Sequence, residues 1–366
     1  MSNLYFHLRD QRNLISFDDN CRGLHSDITQ LSKLMSECTK DIIIPISVSV
    51  NEYKALKDEI SKPGDMNRPE LWNAYTSKSH TNYEQQLTNM FVSFRDNGLT
   101  YEDLMSKCGN SFDVDVVNNI MAFFSQFKSK QKPQDRPKSN TITDLQVYQL
   151  ISNRDVNCVV GATNFCSKIK YGDIRMCIKV LPEDRIKTIQ SFNHERGHCL
   201  LEQQLNTQYA NLMVSLSMHE AHAFIKQFYH IDDNKKQFQY DITPFASSRR
   251  VMNTPHFYNQ HIAVRYKFEI EMLKDPYQSA QTLLTKISDN ILGYSTSIFE
   301  DIHWSQAVVG YFPAYSVGHV IAAQLYEHID NDYSCASLLH DLSELQYIEK
   351  ISGKPLSTDS FEKLYR

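Results

Sequence analysis

Residues 194–198 read His-Glu-Arg-Gly-His, and this pentad narrows the folds open to the chain more than any other stretch. Two histidines four apart stand one above the other on a helical face, so both imidazoles can reach a single ion. Glu195 is turned about 100° from His194 around the helix axis. Its carboxylate can therefore meet a water beside the metal without ligating the metal itself. Zinc brings the pKa of such a water to about 7, and a glutamate there can take the proton and pass it to a leaving amine. The pentad demands a helix, and it demands a third ligand from a second element packed against that helix.

The helix is legible on both sides of the pentad. Pro182-Glu183-Asp184 suits a first turn, with proline at an early position and acids at the positive end of the dipole. The apolar spacing predicts a helix over 183–203 and a second over 207–228, where Leu212, Leu216 and Ala223 form a stripe. That second helix carries His219, Glu220 and His222. Glu220 lies 22 residues after His198, the reach of a helix, a loop and an antiparallel return. It completes a His₂Glu set and leaves one position for water. His219 reads as a residue beside the ligands or facing the substrate, and His222 as a packed or surface histidine.

Further helices are predicted over 84–95, 114–127, 144–151, 261–273, 279–292 and 315–329. Residues 173–180 alternate strictly, with Ile174, Met176, Ile178 and Val180 on one side, and read as a half-buried strand. The class is mainly α with a small β element near the pentad helix. The polar, proline-containing stretch 128–143 reads as a junction. An N-terminal helical region, 1–140, then precedes a catalytic region, 141–366, within one continuous fold.

Charged residues are 22% of the chain and the net charge is −5, without a basic block, which speaks against nucleic acid as a partner. The longest apolar run, 42–50, is broken by Pro45 and is short of a bilayer span. The first residues lack the pattern of a secretory signal, so the eight cysteines are expected as reduced thiols in a cytoplasmic protein.

The order of motifs resembles the carboxypeptidase Taq family of metallocarboxypeptidases. Asp173-Ile174-Arg175, the pentad with Cys199 to Gln203, His219-Glu220, Arg250-Val251, Tyr258 to Ile262, Asp301-Ile302-His303-Trp304 and Gly310 to Tyr315 fall in the family's order. The closing stretch from Gly353 to Arg366 is similar to its last helix. The resemblance implies a large helical metallopeptidase fold with a long cleft, zinc or cobalt as the metal, peptide substrates cut at the C-terminus, a cytoplasmic location and a homodimer. It also implies that Arg175 and Arg250 hold the substrate's terminal carboxylate, a role for which a planar guanidinium is suited. His303, Tyr311 and Tyr315 are expected to stabilise the oxyanion or orient the substrate.

The chain departs from the family where Thr163-Asn164-Phe165, Cys177, Asn253-Thr254 and Glu300 stand, and it is shorter than usual, mostly at the N-terminus. These changes spare the proposed ligands His194, His198 and Glu220 and the base Glu195. They leave two other readings beside the zinc carboxypeptidase. One is an oligopeptidase of the same metal chemistry; the other is a catalytically weak zinc protein that binds peptide or a partner.

Overall fold

The computed structural model describes residues 3–22, 68–127, 157–181, 185–205, 214–229, 255–305, 308–329 and 333–365. The N-terminal part supplies α1 (Asn3–Cys21), α2 (Arg68–Ser77), α3 (His80–Asp96), α4 (Tyr101–Lys107) and α5 (Val114–Gln126). Three strands follow, β1 (Asn157–Val160), β2 (Phe165–Lys170) and β3 (Asp173–Ile178). Next come α6 (Arg185–Leu205) and α7 (Leu216–Phe224), the latter running into a π-helical turn, Ile225–Tyr229. The C-terminal part holds α8 (Pro255–Lys274), α9 (Ala280–Leu292), α10 (Pro313–Leu325), α11 (Glu344–Ser352) and α12 (Asp359–Tyr365). The expected mainly helical class with a small sheet is what the chain forms, and no described helix is long and apolar enough to cross a membrane.

Local chemistry sets most of these boundaries. Thr100 closes a capping box with Asp103 at the start of α4, and Ser343 does the same with Gln346 for α11. Gly293 ends α9 with φ at 81°, a backbone conformation that favours a residue without Cβ. Of the helix expected over 207–228, residues 207–213 lie outside the described residues, and 214–215 are not helical. Ser215 is extended and its hydroxyl accepts from the Met218 amide, so α7 begins at Leu216; a serine cap outcompetes apolar periodicity there. The helix expected over 144–151 and the junction over 128–143 lie outside the described residues.

Aromatic and aliphatic side chains from the N-terminal helices, α7, α8, α10 and the C-terminal helices share one core, from Ala74 to Tyr365. The sheet stands beside it in the order β1-β3-β2, with β1 parallel and β2 antiparallel to β3. Its two faces meet different helices. Phe165 and Cys177 face α1, where Phe17 lies edge-on to Phe165. Cys166 and Lys168 face α6.

The thiols depart from expectation. Cys21 is bonded to Cys177 and Cys166 to Cys199, while Cys108, Cys158 and Cys335 form no disulfide among the described residues. One disulfide fastens α1 to β3 and the other fastens β2 to the pentad helix. Scattered spacing concealed this, because cysteines 156 and 33 residues apart become neighbours only when the sheet forms between the two helices.

Candidate metal centre

Three close-packed helices build the centre, and glycine sets their separation. A Cβ on Gly197, inside the pentad, would lie 2.6 Å from Ala223 Cα and 2.7 Å from the His222 carbonyl oxygen. A Cβ on Gly318 of α10 would lie 2.7 Å from Glu220 Cβ. Any larger residue at either site would drive α7 away from a neighbour. The two glycines thus let α6 and α10 press on α7 from two sides, and α7 delivers Glu220 to the pentad.

His194, His198 and Glu220 present ligand atoms that all lie within 4.8 Å of one another. His194 Nε2 is 3.4 Å from Glu220 Oε2, and His198 Nε2 is 3.9 Å from Glu220 Oε1. The two Nε2 atoms are 3.3 Å apart. Glu220 Oε2 is buried and receives no hydrogen bond among the described residues, although a buried carboxylate oxygen ordinarily has a donor. Two imidazoles and a carboxylate with an unsatisfied oxygen fit a divalent cation by donor type.

Neither rival histidine joins this group. His222 is fully buried, with Nδ1 at 2.9 Å from the Met218 carbonyl and Nε2 at 3.3 Å from the Tyr347 hydroxyl. His219 Nε2 lies 3.5 Å from Glu202, whose other oxygen is 3.7 Å from the Lys168 ammonium on β2.

Glu195 is 8% exposed and its carboxylate accepts the backbone N–H of Cys166. Burial pushes its pKa up to about 7, and the Glu220 charge adds to this while His194 and the Cys166 amide oppose it. Burial also presses on both histidines. At His194 it is outweighed by the Glu220 carboxylate, which brings the ring to about 8. At His198 burial and the neighbouring His194 hold the ring well below the usual histidine range.

The aromatic residues expected at the site are gathered around it. The His303 ring stacks on Tyr311 at 5.5 Å, and the Tyr311 and Tyr315 hydroxyls are 3.4 Å apart. Burial raises both phenols above the usual range, and the Glu220 carboxylate adds to it in each. Asp301 accepts from the His303 backbone N–H and lies 2.9 Å from its Nδ1, while Arg265 Nε lies 2.8 Å from the other Asp301 oxygen. Trp304 is core, donating its indole N–H to Glu269.

The arginines are placed differently. Arg175 pairs across the sheet with Ser167 and Asn157, on the face turned to α1. Its neighbour Met176 pairs with Cys166 on the face turned to α6. Arg175 is held by both oxygens of Asp173 at 2.9 Å. It is not brought together with the ligand group. Arg250 lies outside the described residues.

Several contributors carried no expected role of their own in the sequence: Gln227, the Cys166 amide, Gly318, Gly197 within the pentad and Asp301 within the stretch Asp301–Trp304. Gln227 stands seven residues after Glu220, a spacing that returns to nearly the same helical face. Asp301 sits two residues before His303, the spacing of a local side-chain cap. Nothing in the linear sequence marks the Cys166 amide or Gly318.

Comparison with known proteins adds an independent line. The sequence profile described as carboxypeptidase Taq (M32) metallopeptidase matches residues 232–351, downstream of His194, His198 and Glu220. Thermostable carboxypeptidase 1 of Pyrococcus furiosus is 28% identical over 243 residues, which is 57% of this chain and 46% of that protein. The chain thus spans about half the length of the curated relatives that it matches. Among solved structures, a protein called CHT superposes with a TM-score of 0.74 at 20% identity, over 98% of this chain and 96% of that one. The Pyrococcus furiosus carboxypeptidase superposes with a TM-score of 0.69 at 16% identity, over 98% and 95%.

Proposed function

From its likeness to the carboxypeptidase Taq family, we propose that the chain is a zinc metallocarboxypeptidase that removes residues from peptide C-termini, with Glu195 as general base. The observation that carries this is the convergence of His194, His198 and Glu220 within 4.8 Å, with Glu195 buried on the same helix. When bound, the metal supplies Lewis-acid polarisation of the scissile carbonyl and of water. The rest falls to side chains. Glu195, oriented by the Cys166 amide, takes the proton of the attacking water and returns it to the leaving amine. The Tyr311 and Tyr315 phenols stay protonated at neutral pH and so can donate to the oxyanion. Asp301 orients the His303 ring beside them.

The position of Arg175 favours a second reading, a cut inside short peptides. A guanidinium engaged bidentately by Asp173 on the far face of β3 is not free to clamp a terminal carboxylate. Short peptides with free and amidated C-termini, offered to zinc-loaded protein, separate the two. Release of single C-terminal residues, lost on amidation and in Glu195→Gln, is expected. Internal cleavage indifferent to amidation would establish the second reading, and equal rates with Glu195→Gln would overturn both. A structural zinc site usually takes four protein ligands. The packing of His222 and the pairing of His219 with Glu202 therefore weigh against a merely structural metal.

The homodimer and the cytoplasmic location belong to the family expectation. The two disulfides pull against the second, because such cross-links persist chiefly in oxidising compartments.

A further inference from the structure

A histidine ligates through one ring nitrogen, and the hydrogen bond at the other decides which nitrogen is free to do so. His194 turns Nε2 toward Glu220 and His198. Its Nδ1 lies 2.9 Å from Gln227 Oε1. We infer that Gln227 is a positioning residue of the metal centre: its carboxamide oxygen holds the hydrogen of His194 on Nδ1 and so keeps the Nε2 lone pair directed at the ion. The inference rests on the reading of His194, His198 and Glu220 as ligands.

An amide oxygen only accepts, so this contact requires Nδ1 to be the donor. A side chain with no acceptor leaves the tautomer unfixed and the ring free to turn about χ2. The amide in the opposite orientation would donate to Nδ1, place the ring hydrogen on Nε2 and block ligation. His198 is served separately, through a hydrogen bond to the backbone of His219. Both ligand rings are therefore held from behind, one by the main chain and one by Gln227.

The backbone explains how Gln227 reaches this place. α7 becomes π-helical at Ile225–Tyr229, directly after the turn that carries Glu220, and this segment packs against α6. A π-helical turn re-aims the residues that follow it, and such turns recur at functional sites. Glu220 addresses the metal-facing side of His194, and Gln227, seven residues on, addresses its far side.

The test is zinc affinity, measured by competition with a chromophoric chelator, for Gln227→Leu, Gln227→Glu and His194→Ala. Thermal unfolding of each chelator-treated protein is followed in parallel. Gln227→Leu is expected to weaken zinc binding about 10- to 100-fold while leaving the melting temperature of the chelator-treated protein unchanged. Gln227→Glu, which keeps an acceptor, is expected to bind zinc at least as tightly as the parent. Zinc affinity unchanged in Gln227→Leu but lost in His194→Ala overturns the role of Gln227 alone. Affinity unchanged in His194→Ala as well overturns the metal-site reading beneath it. Should Gln227→Leu fail to fold, weaker zinc binding by a folded Gln227→Glu overturns the inference.

Discussion

Glu195, Glu220 and Glu269 are all buried, yet each has a different task set by its neighbours. Among the described residues Glu195 accepts from the Cys166 backbone, and burial raises its pKa, which suits the proposed role of base. Replacing it with glutamine should lower kcat by about 10²- to 10⁴-fold while leaving zinc affinity close to that of the parent, as steady-state rates and chelator competition would show. Glu269 is structural. It accepts from the Tyr101 hydroxyl, the Trp304 indole and the Gly310 amide, which anchors the turn leading into Tyr311. Burial raises its pKa from 4.5 to about 7, with the three donors opposing. The folded state therefore binds this proton more tightly than the unfolded state. The stability it contributes is complete below about pH 4.5 and is lost as the pH rises through about 7. Glu269→Gln should cost about 1–3 kcal/mol, because one amide oxygen cannot serve donors aimed at both carboxylate oxygens. The variant should also lose stability less steeply than the parent between pH 4.5 and 7, a comparison made by urea unfolding across that range.

At the scale of elements, the centre depends on how closely helices approach. The spacing of α7 from α6 and α10 follows from two missing side chains, Gly197 and Gly318. Gly318→Ala should destabilise the fold by about 1–3 kcal/mol, and, since the new methyl presses directly on Glu220, it should also weaken zinc binding. An alanine placed on an exposed face of α10 should do neither. The second contact of the pentad helix is covalent. Cys166 and Lys168 on β2 meet Cys199 and Glu202 on α6, while the Cys166 amide holds Glu195. Reduction of the Cys166–Cys199 bond should therefore lower kcat more than it raises KM, because the base loses its support while the ligands keep theirs. A Cys166→Ser, Cys199→Ser protein should show the same split without reductant.

At the scale of the whole molecule, the Cys21–Cys177 bond closes a separation of 156 residues between the first helix and the sheet. Cross-links of that reach stabilise by about 2–4 kcal/mol, chiefly by restricting the unfolded chain. Cys21→Ser should accordingly melt earlier in differential scanning calorimetry. Much of this molecule was legible in one dimension. The grouping of His194 with His198 follows from helical periodicity, since residues four apart on one helix share a face whatever surrounds them. The helices over 84–95, 114–127, 261–273 and 279–292 and the strand over 173–180 follow from local apolar spacing, and each formed with shifted ends. The start of α7 moved because a single serine cap decides a helix end more sharply than a stripe of apolar residues. What local spacing could not decide was which side of an element meets which neighbour. Arg175 stands in a family motif, yet strand alternation places it behind β3, against α1. Four cysteines pair, and Gln227 reaches His194, only because the sheet and three helices enclose one another. Periodicity acts through the chain and determined which residues could bind and activate. Contacts across 33 to 156 residues act through space, and only the tertiary structure decided how the metal helix is held.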